Sequence, residues 1–398
     1  MGKHDGGLHT LRAKFPIKTG HAVLDWMLLA IPAALVLHWF VHPGPVLVFA
    51  AAALAIIPLA GALGEATDVL AHYIGQRWGG LLNATMGNAT ELIIGFFTLR
   101  AGHVEIVKAS ISGSIIGNAL LVLGMSCIVG GLRREKQTFS RRDAAVNSTM
   151  LFIAVVALVV PAVYDLATYG RLKQNGVTIE HLSLWTSLIL VLVYASSMLF
   201  TMGFGSGPSK SQKSGAEPRG PGGSESSGQG RSSSPRMAGK SDGDTPPAKS
   251  AVISLAVATV LVAYMSEILV GQLEAVKEHL GVSDLFLGVI IIAAIGNAAE
   301  HSTAVIMAAR NKMDVALNIA VGSSSQIALL VAPLLVFASW FMHPHMSLVF
   351  TGLEIAGIGL AVLVLQMISY DGETNWFEGV QLVAVYLILA VAFYYVPA

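Results

Sequence analysis

The chain has 398 residues, 54% hydrophobic and only 12% charged, with 24 Lys and Arg balanced by 24 Asp and Glu. A soluble domain carries about 25% charged residues, so this composition and the mean hydropathy of +0.67 exclude an ordinary soluble fold. Apolar runs of span length recur throughout and indicate a polytopic helical membrane protein, while the single cysteine, Cys127, excludes a disulfide framework or a cysteine metal cluster.

Residues 1–22 form a short basic tail without an A-x-A-like cleavage site. This pattern predicts a cytoplasmic segment before a retained span. A leading span is expected at 23–41, within a segment 23–44. Five more follow in 45–203, at 45–65, 80–101, 105–131, 143–163 and 183–203, the first continuing as helix to about Gln76. Residues 204–249 are rich in Gly, Ser and Pro and have no apolar period, which predicts a flexible linker. Five further spans fall in 250–398, at 250–271, 285–309, 314–340, 346–368 and 378–396, giving an all-α protein with eleven transmembrane helices.

Charge placement supports that count. With a cytoplasmic N-terminus, Arg133, Arg134, Lys136, Arg141, Arg142, the linker and the Arg310–Lys312 turn all fall inside. The outer loops near Pro43 and His343–His345 have neither Lys nor Arg; the loop 164–182, with Arg171 and Lys173, is the exception. This positive-inside pattern places the C-terminus outside.

The two halves match at an offset of 209 residues. Gly87, Asn88, Ala89 and Glu91 fall on Gly296, Asn297, Ala298 and Glu300; Gly113–Ser114 on Gly322–Ser323; Ala119–Leu121 on Ala328–Leu330; Glu65–Ala66 on Glu274–Ala275. Four matches at one offset indicate duplication. Five spans per repeat make the second copy enter the membrane from the opposite side. Inverted repeats are characteristic of alternating-access transporters that bind substrate at the repeat interface.

GNATELIIG at 87–95 and GNAAEHSTA at 296–304 place acids within apolar spans. A charge at a bilayer centre costs about 2.5–3.5 kcal/mol on insertion scales, which calls for a functional reason. Asn88 with Glu91, and Asn297 with Glu300 and His301, lie at i+3 and i+4 spacing and share a helix face. Two carboxylates and two amide oxygens converging from inverted helices suit a divalent cation such as Ca2+, a hard ion that takes 6–8 oxygens. Gly87 and Gly296 would loosen the helix and free carbonyls. The same carboxylates can take up protons when the metal leaves, since a low dielectric disfavours bare charge. The alternative is that these residues only join helices by hydrogen bonds.

His301 is either a proton acceptor near the site or an imidazole that orients Glu300 or a neighbouring helix. Gly113 and Gly117 form a GxxxG pattern read as close packing. Ser114, Asn118, Ser323 and Gln326 are expected to face the ion path. Glu65, Glu267 and Glu274 are proton-relay or gating candidates, with Glu267 and Glu274 on one face, seven residues apart. Asp68 is read as solvated, as are His38, His42, His343 and His345. Glu354 is expected to snorkel from about eight residues inside its span.

The stretches LLNATMGNATELIIGFFTL, IGNAAEHSTAVIMAARNKMD, GSSSQIALLVAP and YDGETNWFEGVQLVAVYLILA resemble the cation/proton exchanger (CAX) family of the Ca2+/cation antiporter superfamily. The resemblance covers the chain apart from the N-terminal tail and 204–249. It implies the sodium/calcium-exchanger-like fold of one leading helix and two inverted five-helix repeats. It also implies Ca2+/H+ antiport, with Asn88, Glu91, Asn297 and Glu300 as cation-binding positions. Gly-Asn-Ala-Thr/Ala-Glu in place of the sodium branch's Gly-Thr/Ser-Ser-x-Pro-Glu/Asp favours H+ as counter-ion; the alternatives are sodium coupling or another divalent cation such as Mn2+. Eukaryotic vacuolar members often have an acidic segment between the halves. The linker here has only Glu217, Glu225, Asp242 and Asp244 against seven Lys and Arg, so it is read as a tether.

A channel suits two inverted copies less well than alternating access. An enzyme is not expected: H-E-x-x-H and the nucleotide-binding GxxxxGK[ST] loop are both missing from the sequence. The expected partners are the lipid bilayer and the transported Ca2+ and H+, with no cofactor, nucleotide or nucleic acid. A homo-oligomer is left open. The compact chain points to a prokaryotic plasma membrane.

Overall fold

A computed structural model describes residues 22–170, 172, 176–201 and 247–397. The expected tail, nearly all of the linker, and Arg171 and Lys173 lie outside the described residues. The helices in chain order are α1 Leu24–Val41, α2 Pro45–Ile74, α3 Gln76–Met86, α4 Ala89–Arg100, α5 Val104–Gly131, α6 Arg141–Tyr169, α7 Val177–Phe200, α8 Ala248–Val270, α9 Leu273–Leu280, α10 Asp284–Ala309, α11 Met313–Ser339, α12 Gly352–Ile368 and α13 Trp376–Tyr394. Nine of these are long and apolar enough to cross a membrane among the described residues. The α3–α4 tandem and α12 complete eleven crossings.

The helix ends follow local chemistry. Ser140 caps α6 by accepting from the Asp143 amide, and the left-handed Gly170 ends it. Asn375 accepts from the amides of Phe377 and Glu378 to start α13. Thr351 and Glu354 form a reciprocal capping box at the start of α12.

That box corrects two expectations. The span expected to begin at 346 begins as helix only at Gly352, because 346–351 is irregular, non-helical backbone, with 346–350 buried. Glu354 accordingly does not snorkel: it is 1% exposed, accepts from the Thr351 amide at 2.7 Å and from Ser112 at 2.9 Å. Non-helical backbone at membrane depth must be satisfied by protein groups. Here Ser339 Oγ accepts from Met346 N, Ser183 Oγ accepts from Leu348 N, and Lys108 Nζ donates to Val349 O.

Contacts sort the loops to two ends of the bundle. At one end His103, in the α4–α5 turn, meets Glu274 of α9, and His345, in the α11–α12 loop, pairs with Glu180 of α7. At the other, strands β1 Gln137–Thr138 and β2 Glu373–Thr374 pair antiparallel. The same end joins Arg134 to the Ala309 carbonyl and the Ser140 amide to Asp314. Spans therefore alternate in direction, and the repeats are inverted. His345 is thus half-buried and paired, not simply solvated.

The most enclosed spans are α5 and α11, each 78% buried against 22% for α7, so these two repeat-related helices form the centre. One apolar core surrounds them with α6, α12 and α13. A second is built from α1, α2, α8 and the start of α10, with α2 lying along α8. The α2–α8 pair also shows a departure from exact repetition. Where α2 runs unbroken to Ile74, its counterpart stops at Val270 and resumes as α9. Glu267 and Glu274 therefore do not share one helix face, as their spacing had suggested.

Candidate functional site

The span expected at 80–101 is interrupted where the first motif lies. α3 ends at Met86 and α4 begins at Ala89, with Asn88 at φ −97°, ψ 19° between them. Helix ends leave carbonyls outside the intrahelical ladder, which is the loosening expected of Gly87. The break also places Glu91 in the first turn of α4, where the helix dipole offsets part of the cost of its charge. The second motif behaves differently. Gly296 and Asn297 lie inside continuous α-helix, directly after a π-helical turn at Leu287–Ile292. Further π turns occupy Gly117–Val122 of α5 and Ile327–Val331 of α11, so both repeats widen at 119–121 and 328–330, equivalent positions in the duplication. Such turns leave residues outside the regular ladder and recur at functional sites.

Each motif glycine makes room for the acid of the other motif. A Cβ on Gly296 would lie 3.2 Å from Glu91 Cγ; a Cβ on Gly87 would lie 3.6 Å from Glu300 Oε1 and 2.9 Å from Asn83 O. The reciprocity brings Glu91 and Glu300 close enough to feel each other's charge. Both Glu91 carboxylate oxygens and Glu300 Oε2 are shielded from solvent and lack a hydrogen-bond partner. A buried carboxylate in that condition requires a cation or a proton.

The amides are used otherwise. Asn88 donates to Gln326 at 2.5 Å and accepts from Ser323 at 3.2 Å. Asn297 donates to Ser114 at 2.8 Å and to the Ala293 carbonyl at 2.9 Å. The asparagine of each repeat thus bonds the serine of the other, since Ser114 and Ser323 are themselves equivalent. Asn118 joins the two sets by donating to Ser323 at 3.2 Å and Asn297 at 3.4 Å. With its NH2 so engaged, Asn118 presents its carbonyl oxygen to His301 Nε2 at 3.0 Å, so that nitrogen is the donor. His301 is thereby fixed on Asn118.

A small cleft reaches Glu91 between Ser110, Ile111 and Ser114 of α5, Ile292 and Gly296 of α10, and Ile327, Val331 and Leu335 of α11. Among the described residues, no three His, Cys, Asp or Glu side chains are grouped to hold a metal. A hard cation here would take its ligands from the two carboxylates together with amide, hydroxyl and backbone oxygens.

The family profile described as "Sodium/calcium exchanger protein" matches residues 44–203 and 250–395, leaving out the same two segments as the motif resemblance. The chain belongs to this family. The exchanger is 41% identical over 384 residues to a Ca(2+)/H(+) antiporter of Aphanothece halophytica, covering 93% of this chain and 96% of that one. It is 43% identical over 362 residues to the Ca(2+)/H(+) antiporter ChaA of Bacillus subtilis, covering 90% and 93%. Among solved structures, native YfkE superposes with a TM-score of 0.75 at 38% identity over 94% of this chain and 100% of that one. The H+/Ca2+ exchanger CAX, at 14% identity and a TM-score of 0.64, covers 93% of this chain and 91% of its own and shares the fold.

The other predicted positions of this exchanger lie away from the two acids. Glu274 pairs with Lys277 at 2.8 Å and His103 at 3.4 Å at one end of the bundle. Glu267 is exposed along α8, and Glu65 is half-buried on α2. Asp68, read as merely solvated, accepts from Asn83 at 2.7 Å, and the Asn83 side-chain oxygen is itself buried without a partner. Gly113 does pack closely, against the Val289 backbone, but Gly117 has open space and begins the π turn. Ser110 and Asn83 were overlooked. The i, i+4 pairing of Ser110 with Ser114 and the doubled Asn-Ala-Thr at 83–85 and 88–90 were the available signals.

Proposed function

We propose that this exchanger is a secondary active antiporter that moves Ca2+ against H+, with Glu91 and Glu300 alternately binding the cation and protons. The observation that carries the reading is the pair of buried carboxylates, one from each inverted repeat, with both Glu91 oxygens and Glu300 Oε2 lacking a hydrogen-bond partner. Two such charges are stable together only with a divalent cation between them or with protons on them. The two charge states can then replace each other within one site. Identity above 40% to proteins named Ca(2+)/H(+) antiporters supports the choice of ions.

In this reading Asn88, Asn297, Ser114, Ser323, Asn118 and Gln326 form a polar layer that ties the repeats together at the site. They hold the two acids in register and lend oxygens as the cation enters. The cleft at Ser110 and Ser114 is one access route to Glu91. Glu65 and Asp68 line the approach to Glu300 from the β1–β2 end, with Asn83 between. His301 acts through Asn118, not as a proton carrier. The basic residues at the β1–β2 end orient that face to the cytoplasm, so the N-terminal tail and linker are cytoplasmic and the membrane is a prokaryotic plasma membrane. The linker 204–249 serves as a tether between repeats 45–203 and 250–398.

Proteoliposomes with an imposed pH gradient should accumulate Ca2+, and Glu91→Gln or Glu300→Gln should abolish uptake. Uptake that persists in both variants would refute the site. Uptake that requires a sodium gradient in place of the pH gradient would refute the counter-ion.

A further inference from the structure

Lys108 is a lysine with 1% exposure near the start of α5, among the largest fully buried side chains of the molecule. Its ammonium lies 2.8 Å from Glu105 and donates to the Val349 carbonyl at 3.1 Å. Glu354, equally buried, is held by the Thr351 amide and by Ser112, one helical turn beyond Lys108. Clamping the irregular segment 346–351 explains one of these bonds. A serine hydroxyl meets that need elsewhere in the same segment, so a buried lysine and a buried glutamate are more than clamping requires.

The placement of the pair on α5 indicates its use. Lys108 and Ser112 are four residues apart and share one face. Ser110 and Ser114 follow each of them by two residues, about 200° around the helix, and face the cleft at Glu91. Between the two faces, Gly113 lies against the Val289 backbone and Gly288 against Ala109 and the Ile106 carbonyl, so α5 and α10 touch through glycines. Glycine contacts restrain approach but give a helix no fixed rotation. The bonds of Lys108 and Ser112 to the 346–354 segment hold the face of α5 that the bonds of Ser114 and Asn118 do not reach. The equivalent of Lys108 in the second repeat is Leu317, so this hydrogen-bonded pin belongs to one repeat only.

We propose that the paired bonds of Lys108 to the Val349 carbonyl and of Ser112 to Glu354 are a positioning device for transport: they set the rotation of α5, and through Ser110 and Ser114 the shape of the cleft at Glu91. The inference rests on the antiport reading for its consequence but not for its geometry. Cys127 is fully buried, so Ser110→Cys in the full-length chain gives one reactive thiol in the cleft, read by a charged methanethiosulfonate reagent in detergent. Adding Lys108→Met should change the labelling rate at least about fivefold and raise the half-saturating Ca2+ of pH-driven uptake about tenfold. The maximal rate should stay within about twofold, and Lys108→Arg should bring both quantities back. A monodisperse Lys108→Met protein with unchanged labelling, or with changed labelling but unchanged half-saturation, overturns the proposal. If that variant does not fold, Glu354→Gln is read by the same two measurements and the same outcomes decide. If the native chain takes up no Ca2+, the antiport reading fails and the labelling comparison alone decides the role of the pair.

Discussion

Alanine at Gly296 tests whether Glu91 is poised within tenths of an ångström. The added methyl would lie 3.2 Å from Glu91 Cγ, closer than ordinary van der Waals contact, on a helix whose neighbouring residues are packed. Relief requires Glu91 to move away from the position where its carboxylate faces Glu300. Overpacking of this kind costs about 1–3 kcal/mol. If that cost falls on the bound state, Ca2+ affinity drops about fivefold to 150-fold, at 1.4 kcal/mol per tenfold. Gly322→Ala is the control, because a Cβ there meets nothing within 4 Å. Half-saturation of Ca2+ uptake in proteoliposomes reads both variants. The reasoning is refuted if Gly296→Ala and Gly322→Ala give the same half-saturation as the native chain.

Three further predictions follow from the bonds around the site. Asn88→Ala strands the half-buried Gln326 side-chain oxygen, at about 1 kcal/mol, and should lower the melting temperature in detergent; an unchanged melt would contradict the bond. His301→Gln keeps a donor toward Asn118 and should retain at least about half of the exchange rate with the same pH profile, whereas a shifted profile would make His301 a proton carrier. Hydrogen bonding to Lys277, against a smaller opposing effect of burial and aided by the charges of Lys277 and His103, holds the Glu274 carboxyl below its usual 4.5. A depressed carboxyl stabilises the fold above its unfolded-state pKa and loses that contribution as pH falls through the folded value. Lys277→Ala should therefore lower stability near pH 7 by about a few tenths of a kcal/mol, given the exposure of Glu274, and the difference should close below pH 4. A gap that persists at pH 3 would contradict the ion pair.

The spans and the duplication were legible because length, apolarity and a fixed offset report directly on crossings and repeats. What stayed hidden was local backbone. Met346–Phe350 is as apolar as a helix, and composition cannot separate a buried non-helical run from a buried helical one. Yet Thr351 and Glu354 have capping-box spacing, which would have placed the helix start correctly. The π turns leave no compositional mark: Ala119–Leu121 and Ala328–Leu330 matched as sequence without revealing that both helices widen there. The roles of the two glycines differ for a similar reason. Both face a Glu of the other repeat, but Gly87 accompanies a helix break and Gly296 lies in continuous helix, a difference that the shared Gly-Asn-Ala does not show. Lys108 lay in plain view within a span, where an ionisable residue merits functional weight, but the Val349 carbonyl it holds is 241 residues away in sequence.

The central claim is that cation and protons compete for one pair of carboxylates. Proton release on Ca2+ binding to the purified chain in detergent, from calorimetry in buffers of different ionisation enthalpy, tests it without transport. Ca2+ binding should expel protons, and Glu91→Gln and Glu300→Gln should each reduce both the binding and the release. Tight Ca2+ binding that displaces no protons, or release unchanged in both variants, would contradict it.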